Sequence, residues 1–217
     1  MSNQEYKNSA LRALSGNWAP ALIATIVYLL VSYLLYGALY LPQFGIGVPS
    51  YAASGVSLLI LLGYWPFVTG FENAFRLLLE TGDDRILDNS FSLGFGNWLH
   101  IVWGMLLTYI FIFLWALLFF IPGIVKSFSY AMTPYILVEH PEMSANQAID
   151  ESRRMMRGHK FDLFYLYLSF IGWWFLAIFT AGVGFIWLVP YMECAKAAFY
   201  ADLKSASEPA VEAERVL

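Results

Sequence analysis

No Asp, Glu, Lys or Arg occurs between Arg12 and Glu72. That gap constrains the chain more than any other feature, because a helix needs only about 20 apolar residues to cross the hydrocarbon core of a bilayer. It has room for two spans, divided by the turn residues Pro42, Gly45, Gly47 and Pro49, at roughly residues 18–41 and 52–71. A second gap, from Asp88 to Lys126, holds a third span near 98–121, which Pro122-Gly123 ends. A fourth follows near 124–138, before His140-Pro141. The gap from Asp162 to Glu193 holds a fifth near 161–179, and the sixth covers about 184–203. Composition agrees. Charged residues are 13 % and hydrophobic residues 59 % of the 217, against about 25 % charged in an ordinary soluble domain. Disorder and a disulfide scaffold are excluded, the latter because Cys194 is the only cysteine. With a net charge of -4, nucleic acid is not an expected partner. The spans are apolar around most of their circumference, which argues against barrel strands.

Basic residues orient the spans. Lys7 and Arg12 precede the first; Arg76 and Arg85 lie between the second and third. Arg153, Arg154, Arg157 and Lys160 lie between the fourth and fifth, and Lys204 and Arg215 follow the sixth. The hairpins at 42–50, 122–123 and 180–184 carry none, and Lys126 just past the second is the exception. Both termini are expected in the cytoplasm. The first apolar run is too long for the core of a signal peptide.

Two marks recur three times in the same order. Ser15-Gly16-Asn17-Trp18, Phe95-Gly96-Asn97-Trp98 and Arg157-Gly158-His159-Lys160 precede the odd spans. Trp65-Pro66-Phe67, Thr133-Pro134-Tyr135 and Val189-Pro190-Tyr191 lie in the even ones. Aligning Pro66 with Pro190 also superposes Ala74-Phe75 on Ala198-Phe199. These marks predict an all-α membrane protein with six transmembrane helices as three helical hairpins. Each hairpin follows a cytoplasmic interfacial helix, and the units form a pseudo-threefold repeat. The repeats fall near 1–80, 81–141 and 142–204 in a single membrane domain, with a flexible cytoplasmic tail at 205–217.

The interfacial helices can be read on their own. Ser144 and Gln147 form an S-x-x-Q capping box. Ala148, Ile149, Ser152, Met155 and Met156 then share a side, Arg153, Arg154 and Arg157 sit at the C-terminal end, and Gly158 is the stop. In the first copy Tyr6, Ala10, Leu11 and Leu14 make the apolar stripe, flanked by Lys7 and Arg12; residues 83–92 are the second copy. Such helices anchor to lipid headgroups or hold a dedicated partner or headgroup.

Ionisable residues inside a bilayer are the candidate functional groups. Glu193 lies about nine residues, or roughly 14 Å, from the outer hairpin. Lys196 at i+3, Lys126 and a tyrosine such as Tyr191 are its candidate partners, and Pro190 frees a carbonyl close by. The group reads either as a packed ion pair that fixes helix register or as a solute or proton site in a cavity. A second candidate group lies at the cytoplasmic face: Glu72 with Arg76 at i+4, Glu139, His140 and His159. No two histidines share the i,i+4 spacing of a helical zinc motif, so no metal is expected. Cys194 has no His partner in sequence, and no P-loop, G-x-G-x-x-G, G-x-S-x-G or H-E-x-x-H occurs. No catalytic residue and no cofactor are therefore expected.

The segment Ala148…Ser152…Met155-Met156…Gly158-His159-Lys160 is followed by Leu168-Ser169-Phe170-Ile171-Gly172-Trp173. Thr180-x-Gly182-x-Gly184, Pro190-Tyr191 and Phe199-Tyr200 come next. This pattern resembles the bacterial membrane-protein family catalogued as domain of unknown function 975, most densely from Pro122 to Leu203 and extending to Tyr6. The resemblance implies six helices in the bacterial cytoplasmic membrane and carries no catalytic residue over.

The expected function is a non-enzymatic inner-membrane module, either transport- or permeation-like or interacting with lipid or peptide. Its partners would be membrane lipids and another membrane protein or membrane-active peptide. The alternative is a membrane-embedded enzyme acting on a lipid at the cytoplasmic interface, drawing on Glu72, Glu139, His140 and His159.

Overall fold

The computed structural model describes residues 1–40 and 60–215. The turn expected at 42–50 and the start of the second expected span lie outside them. Among the described residues the chain is all-helical, without strands. Helix α1 (Asn3–Leu14) turns through Gly16 into α2 (Trp18–Tyr40), and a π-turn (Ile60–Tyr64) leads into α3 (Trp65–Thr81). Then come α4 (Ile86–Gly96), α5 (Trp98–Leu118), α6 (Phe120–Ser129), α7 (Thr133–Glu139) and α8 (Ala145–Met155). The chain continues as α9 (Lys160–Leu168), α10 (Ile171–Phe179) and α11 (Phe185–Arg215), which runs on through the segment expected as a tail.

The short helices begin and end where their sequences direct. Ser144 caps α8 by accepting from Gln147 N–H, while the Gln147 side chain accepts from the Ser144 N–H at 2.7 Å. Ser2 and Glu5 make the same reciprocal box on α1. After each helix the chain turns at a glycine in the left-handed region, Gly16 (φ 88°) and Gly158 (φ 89°), where a side chain would be strained.

Prolines break the longer elements. Proline has no N–H and its ring clashes with the carbonyl four residues back. Pro66 therefore sits in the first turn of α3 behind the π-turn, and the Leu62 carbonyl it cannot reach accepts from the indole N–H of Trp98. Pro134 has the same place in α7, and the expected fourth span is broken between Ser129 and Thr133. Ser152 of α8 fills that break. Its hydroxyl donates to the Ser129 carbonyl at 3.0 Å and accepts from the Met132 N–H at 3.2 Å, all buried. Ser152→Ala is expected to cost about 1–3 kcal/mol, because it leaves a buried carbonyl and amide unmatched. The check is the midpoint of thermal unfolding in detergent, and a midpoint equal to that of the unsubstituted chain would remove Ser152 as the clasp.

Small residues set the closest contacts. A Cβ on Gly70 would lie 1.9 Å from the Ser90 carbonyl oxygen, and one on Gly94 would lie 2.2 Å from the Pro66 carbonyl oxygen, so α3 and α4 touch backbone to backbone. A Cβ on Gly123 would meet Ala116 Cα at 2.7 Å, and one on Gly184 would meet Ala177 Cα at 2.7 Å; these contacts close the α5–α6 and α10–α11 hairpins. Helix α1 packs on α11, α4 on α3 and α8 on α7. Tyr6 sets its ring edge-on to Phe199 at 5.2 Å and its hydroxyl donates to Asp202. Burial and that carboxylate both raise the Tyr6 phenol above its ordinary range.

The outer surface is apolar. Leu99, Trp103, Phe113, Leu117, Trp173 and Phe179 are among the large exposed side chains, far more than a soluble chain leaves bare. Two segments, Trp98–Leu118 and Lys160–Phe179, are long and apolar enough to cross a membrane. A third qualifies if Asn3–Leu14 and Trp18–Leu34, which meet at 101°, count as one bent pair.

Candidate functional site

Polar residues on three helices fall on inward stripes. On α11, Glu193, Lys196, Tyr200 and Lys204 recur at three- and four-residue steps. On α3, Glu72, Arg76 and Glu80 recur every fourth residue, and on α7 Tyr135 and Glu139 do the same. The three stripes meet in one seam. The Lys196 ammonium lies 2.7 Å from the Glu72 carboxylate. Arg76 bonds both Glu80 and Glu139 at 2.8 Å. Glu139 also accepts from Lys204 at 2.9 Å and from the Tyr200 hydroxyl. The Asn73 amide donates to the Thr69 and Pro134 carbonyls at 2.9 and 3.0 Å, tying the first turns of α3 and α7 together. Tyr135 stacks on Tyr200 at 4.7 Å, and the Lys196 ammonium sits 5.3 Å from the Tyr135 ring centre.

Burial explains the alternation of sign. The Arg76 and Lys196 side chains are only 7 % and 9 % exposed, and an unpaired charge in such surroundings is too costly to persist. At the Lys204 end, Arg76 and Lys204 face Glu80 and Glu139, so the charges balance. Burial by itself would raise the Glu139 carboxyl, but the Tyr200 hydroxyl, the Lys204 ammonium and Arg76 outweigh it and hold the group below the usual glutamate value. At the other end, Glu72 and Glu193 share one cation, Lys196. Glu193 Oε2 is enclosed and has no hydrogen-bond partner. The hydroxyls of Tyr135, Thr69 and Thr133 are enclosed and unpartnered in the same way.

The two candidate groups read from sequence are thus partly one. Glu72 is not paired with Arg76 at the surface: α3 turns this face toward α7 and α11, so Glu72 meets Lys196 and Arg76 meets Glu139. Lys196 accordingly bonds across to α3 and makes no hydrogen bond to Glu193 one turn away. Lys126 is not a partner either; its ammonium lies over the Trp115 ring at 4.4 Å, with Tyr130 at 5.9 Å. Pro190 is buried within α11, and Tyr191 meets Phe170 edge-on at 5.1 Å. His140 pairs with Glu142 and His159 with Asp162, each at 3.0 Å on the surface. Glu80, Tyr135, Tyr200 and Lys204 were missed. The four-residue spacing from Glu72 to Glu80, and from Tyr135 to Glu139, was the available signal. Among the described residues, no three His, Cys, Asp or Glu side chains group as metal ligands.

No curated protein and no solved structure matches the chain. Residues 118–207, which carry the seam residues of α7 and α11 and none of α3, match the family model described as Protein of unknown function (DUF975), the family that the sequence resembles.

Proposed function

We propose that the chain is a non-enzymatic protein of the bacterial cytoplasmic membrane, with a transport- or permeation-like role in which the seam is the polar path. It crosses six times as three hairpins, each after an interfacial helix, with both termini in the cytoplasm. The observation that carries this reading is the seam itself. It runs from Glu193 to Lys204, about 16 Å along α11 at 1.5 Å per residue, inside a bundle whose outer face is apolar. Ionisable chains at that depth mark ion and solute pathways.

Burial supports the threefold arrangement. Tyr6, Ala10 and Leu14 stand ten, six and two residues before Gly16. Ile86, Ser90 and Gly94 stand at the same distances before Gly96, as do Ala148, Ser152 and Met156 before Gly158, and all nine are buried. Helices α4 and α8 each pack on the helix just before them, and α1 on the last, which closes a ring of three units. Counting from Pro66 and Pro190, Glu72 and Lys196 are equivalent positions, so their ion pair joins two units at matching places.

Membrane lipids are the immediate partners. An open apolar groove of about 570 Å³ along Ile26, Leu30, Tyr33 and Ile186 has the chemistry of an acyl-chain contact. The enzyme alternative needs acids and histidines free at one face. Glu139 is held by two cations, and His140 and His159 pair with separate surface acids.

Single cysteines in a Cys194→Ser background test the topology. Ala181→Cys is expected to react with an impermeant thiol reagent outside intact cells, and Ser9→Cys and Gln147→Cys are not; outside labelling of Gln147→Cys would sink the six-span arrangement. Function is tested in vesicles holding the full chain and a pH-sensitive or cation-sensitive dye. Proton or alkali-cation flux is expected several-fold above that of protein-free vesicles, and to fall with Glu72→Gln. Flux equal to that of protein-free vesicles would overturn the transport-like reading.

A further inference from the structure

Two rings stand between the charged clusters of the seam. Tyr200 lies one helical turn from Lys196 and one turn from Lys204, and Tyr135 lies one turn before Glu139. The rings stack at 4.7 Å with 16° between their planes. On the Tyr135 side, the Lys196 ammonium that binds Glu72 at 2.7 Å sits over the ring, 5.3 Å from its centre. On the Tyr200 side, the hydroxyl donates to Glu139, which Arg76 and Lys204 also hold, at 2.8 and 2.9 Å. The order along the seam is therefore ion pair, ring, ring, ion pairs.

The ring pair is dry and the clusters on either side are not. Tyr135 is 0 % and Tyr200 1 % exposed, so water has almost no access to either ring, whereas the Glu72 and Lys204 side chains are 15 % and 36 % exposed. An ion between the two clusters would give up its water to ring faces, which cannot replace it, and an apolar constriction of this kind closes a path by dewetting. Asn73 braces one ring: its amide donates to the carbonyl of Pro134, the residue before Tyr135. The Tyr135 hydroxyl has no hydrogen-bond partner among the described residues, so the bond from Tyr200 to Glu139 is the one that fastens the pair.

We propose that the Tyr135–Tyr200 stack is the gate of the seam, closed in this structure, and that a solute passes between the two clusters only when the rings part. The Tyr200 hydroxyl is the latch. A cation arriving at Glu139 competes with that hydroxyl for the carboxylate, so the solute itself loosens the gate. The gate deepens the reading of the seam as a polar path and rests on it, yet its test needs no transport. The full chain carries Glu72→Cys in a Cys194→Ser background, in inside-out vesicles that present the Lys204 end to the medium. A positively charged, impermeant methanethiosulfonate reagent then reaches position 72 from that side only past the rings. Adding Tyr200→Ala is expected to speed its modification at least about tenfold, the equivalent of 1.4 kcal/mol off the barrier. Tyr200→Phe keeps the ring, removes the latch and is expected to give a smaller rise; it serves if Tyr200→Ala fails to fold. Phe199→Ala removes a buried neighbouring ring that faces Tyr6 rather than the seam, and is expected to leave the rate unchanged. Equal rates with and without the Tyr200 substitutions would overturn the gate. So would the same acceleration in Phe199→Ala, because general loosening of the bundle would then explain it. Faster modification with no vesicle flux from the unsubstituted chain keeps the rings as the barrier and removes the transport reading; flux with equal rates does the reverse.

Discussion

Glu139→Leu is expected to destabilise the protein by about 3–5 kcal/mol, the cost of breaking a buried ion pair by removing one partner. The Glu139 side chain is 10 % exposed and takes bonds from Arg76, Lys204 and Tyr200. Leucine would leave the Arg76 guanidinium, itself 7 % exposed, with Glu80 as its only counter-ion. The effect belongs to the pair more than to the acid. Glu139→Leu combined with Arg76→Met should recover much of the loss, since apolar replacement of both partners is often neutral. Thermal unfolding in detergent reads all three proteins, and a single variant as stable as the unsubstituted chain would refute the clamp. Acid should act at the same point. A carboxyl whose folded value is depressed contributes fully above its ordinary value, about 4.3, and the contribution is lost as the pH falls through the lower folded value.

Gly70→Val is the second large effect. Its Cβ would fall 1.9 Å from the Ser90 carbonyl oxygen and 2.8 Å from the Gly94 nitrogen. Both are backbone atoms in a helix, so no side chain can swing aside and α3 must separate from α4. Ordinary overpacking costs about 1–3 kcal/mol, and a clash with fixed backbone lies at or above the top of that range. Gly172 is the control. It is also helical, but a Cβ there meets nothing within 4 Å, so Gly172→Ala should be neutral or stabilising by up to about 1 kcal/mol. Similar midpoints for the two variants would mean that α3 and α4 are not in backbone contact.

What was legible in the sequence was local. Trp18 and Trp98, at the edges of charge-free stretches, are the first residues of α2 and α5. Ser144, Gln147 and Gly158 marked the ends of α8 because capping is decided within a few residues. The break before Thr133 was legible in principle, since Pro134 forbids the bond to the carbonyl of Tyr130, but a continuous apolar run masked it. The partner of Lys196 was not legible. Glu193, three residues away, was the local choice, whereas the bond goes to Glu72, 124 residues away. Spacing says which residues share a face; only the crossing of α3, α7 and α11 says what that face meets. The clamp on Glu139 was hidden for the same reason, although its residues were each visible as polar interruptions.

The docking of α1 against α11 has a consequence for the order of assembly. Tyr6 and Asp202 are 196 residues apart. At about 5–20 residues per second, α1 leaves the ribosome some 10–40 s before the segment that covers Tyr6, Ala10 and Leu14. Helices α4 and α8 face no such delay, because α3 and α7 precede them and are already made. The packing of α1 on α11 is therefore the last of these three helix contacts to form and the one with the greatest loop to close. Until then the buried stripe of α1 needs another apolar surface, and a chain halted before Asp202 leaves its first helix undocked.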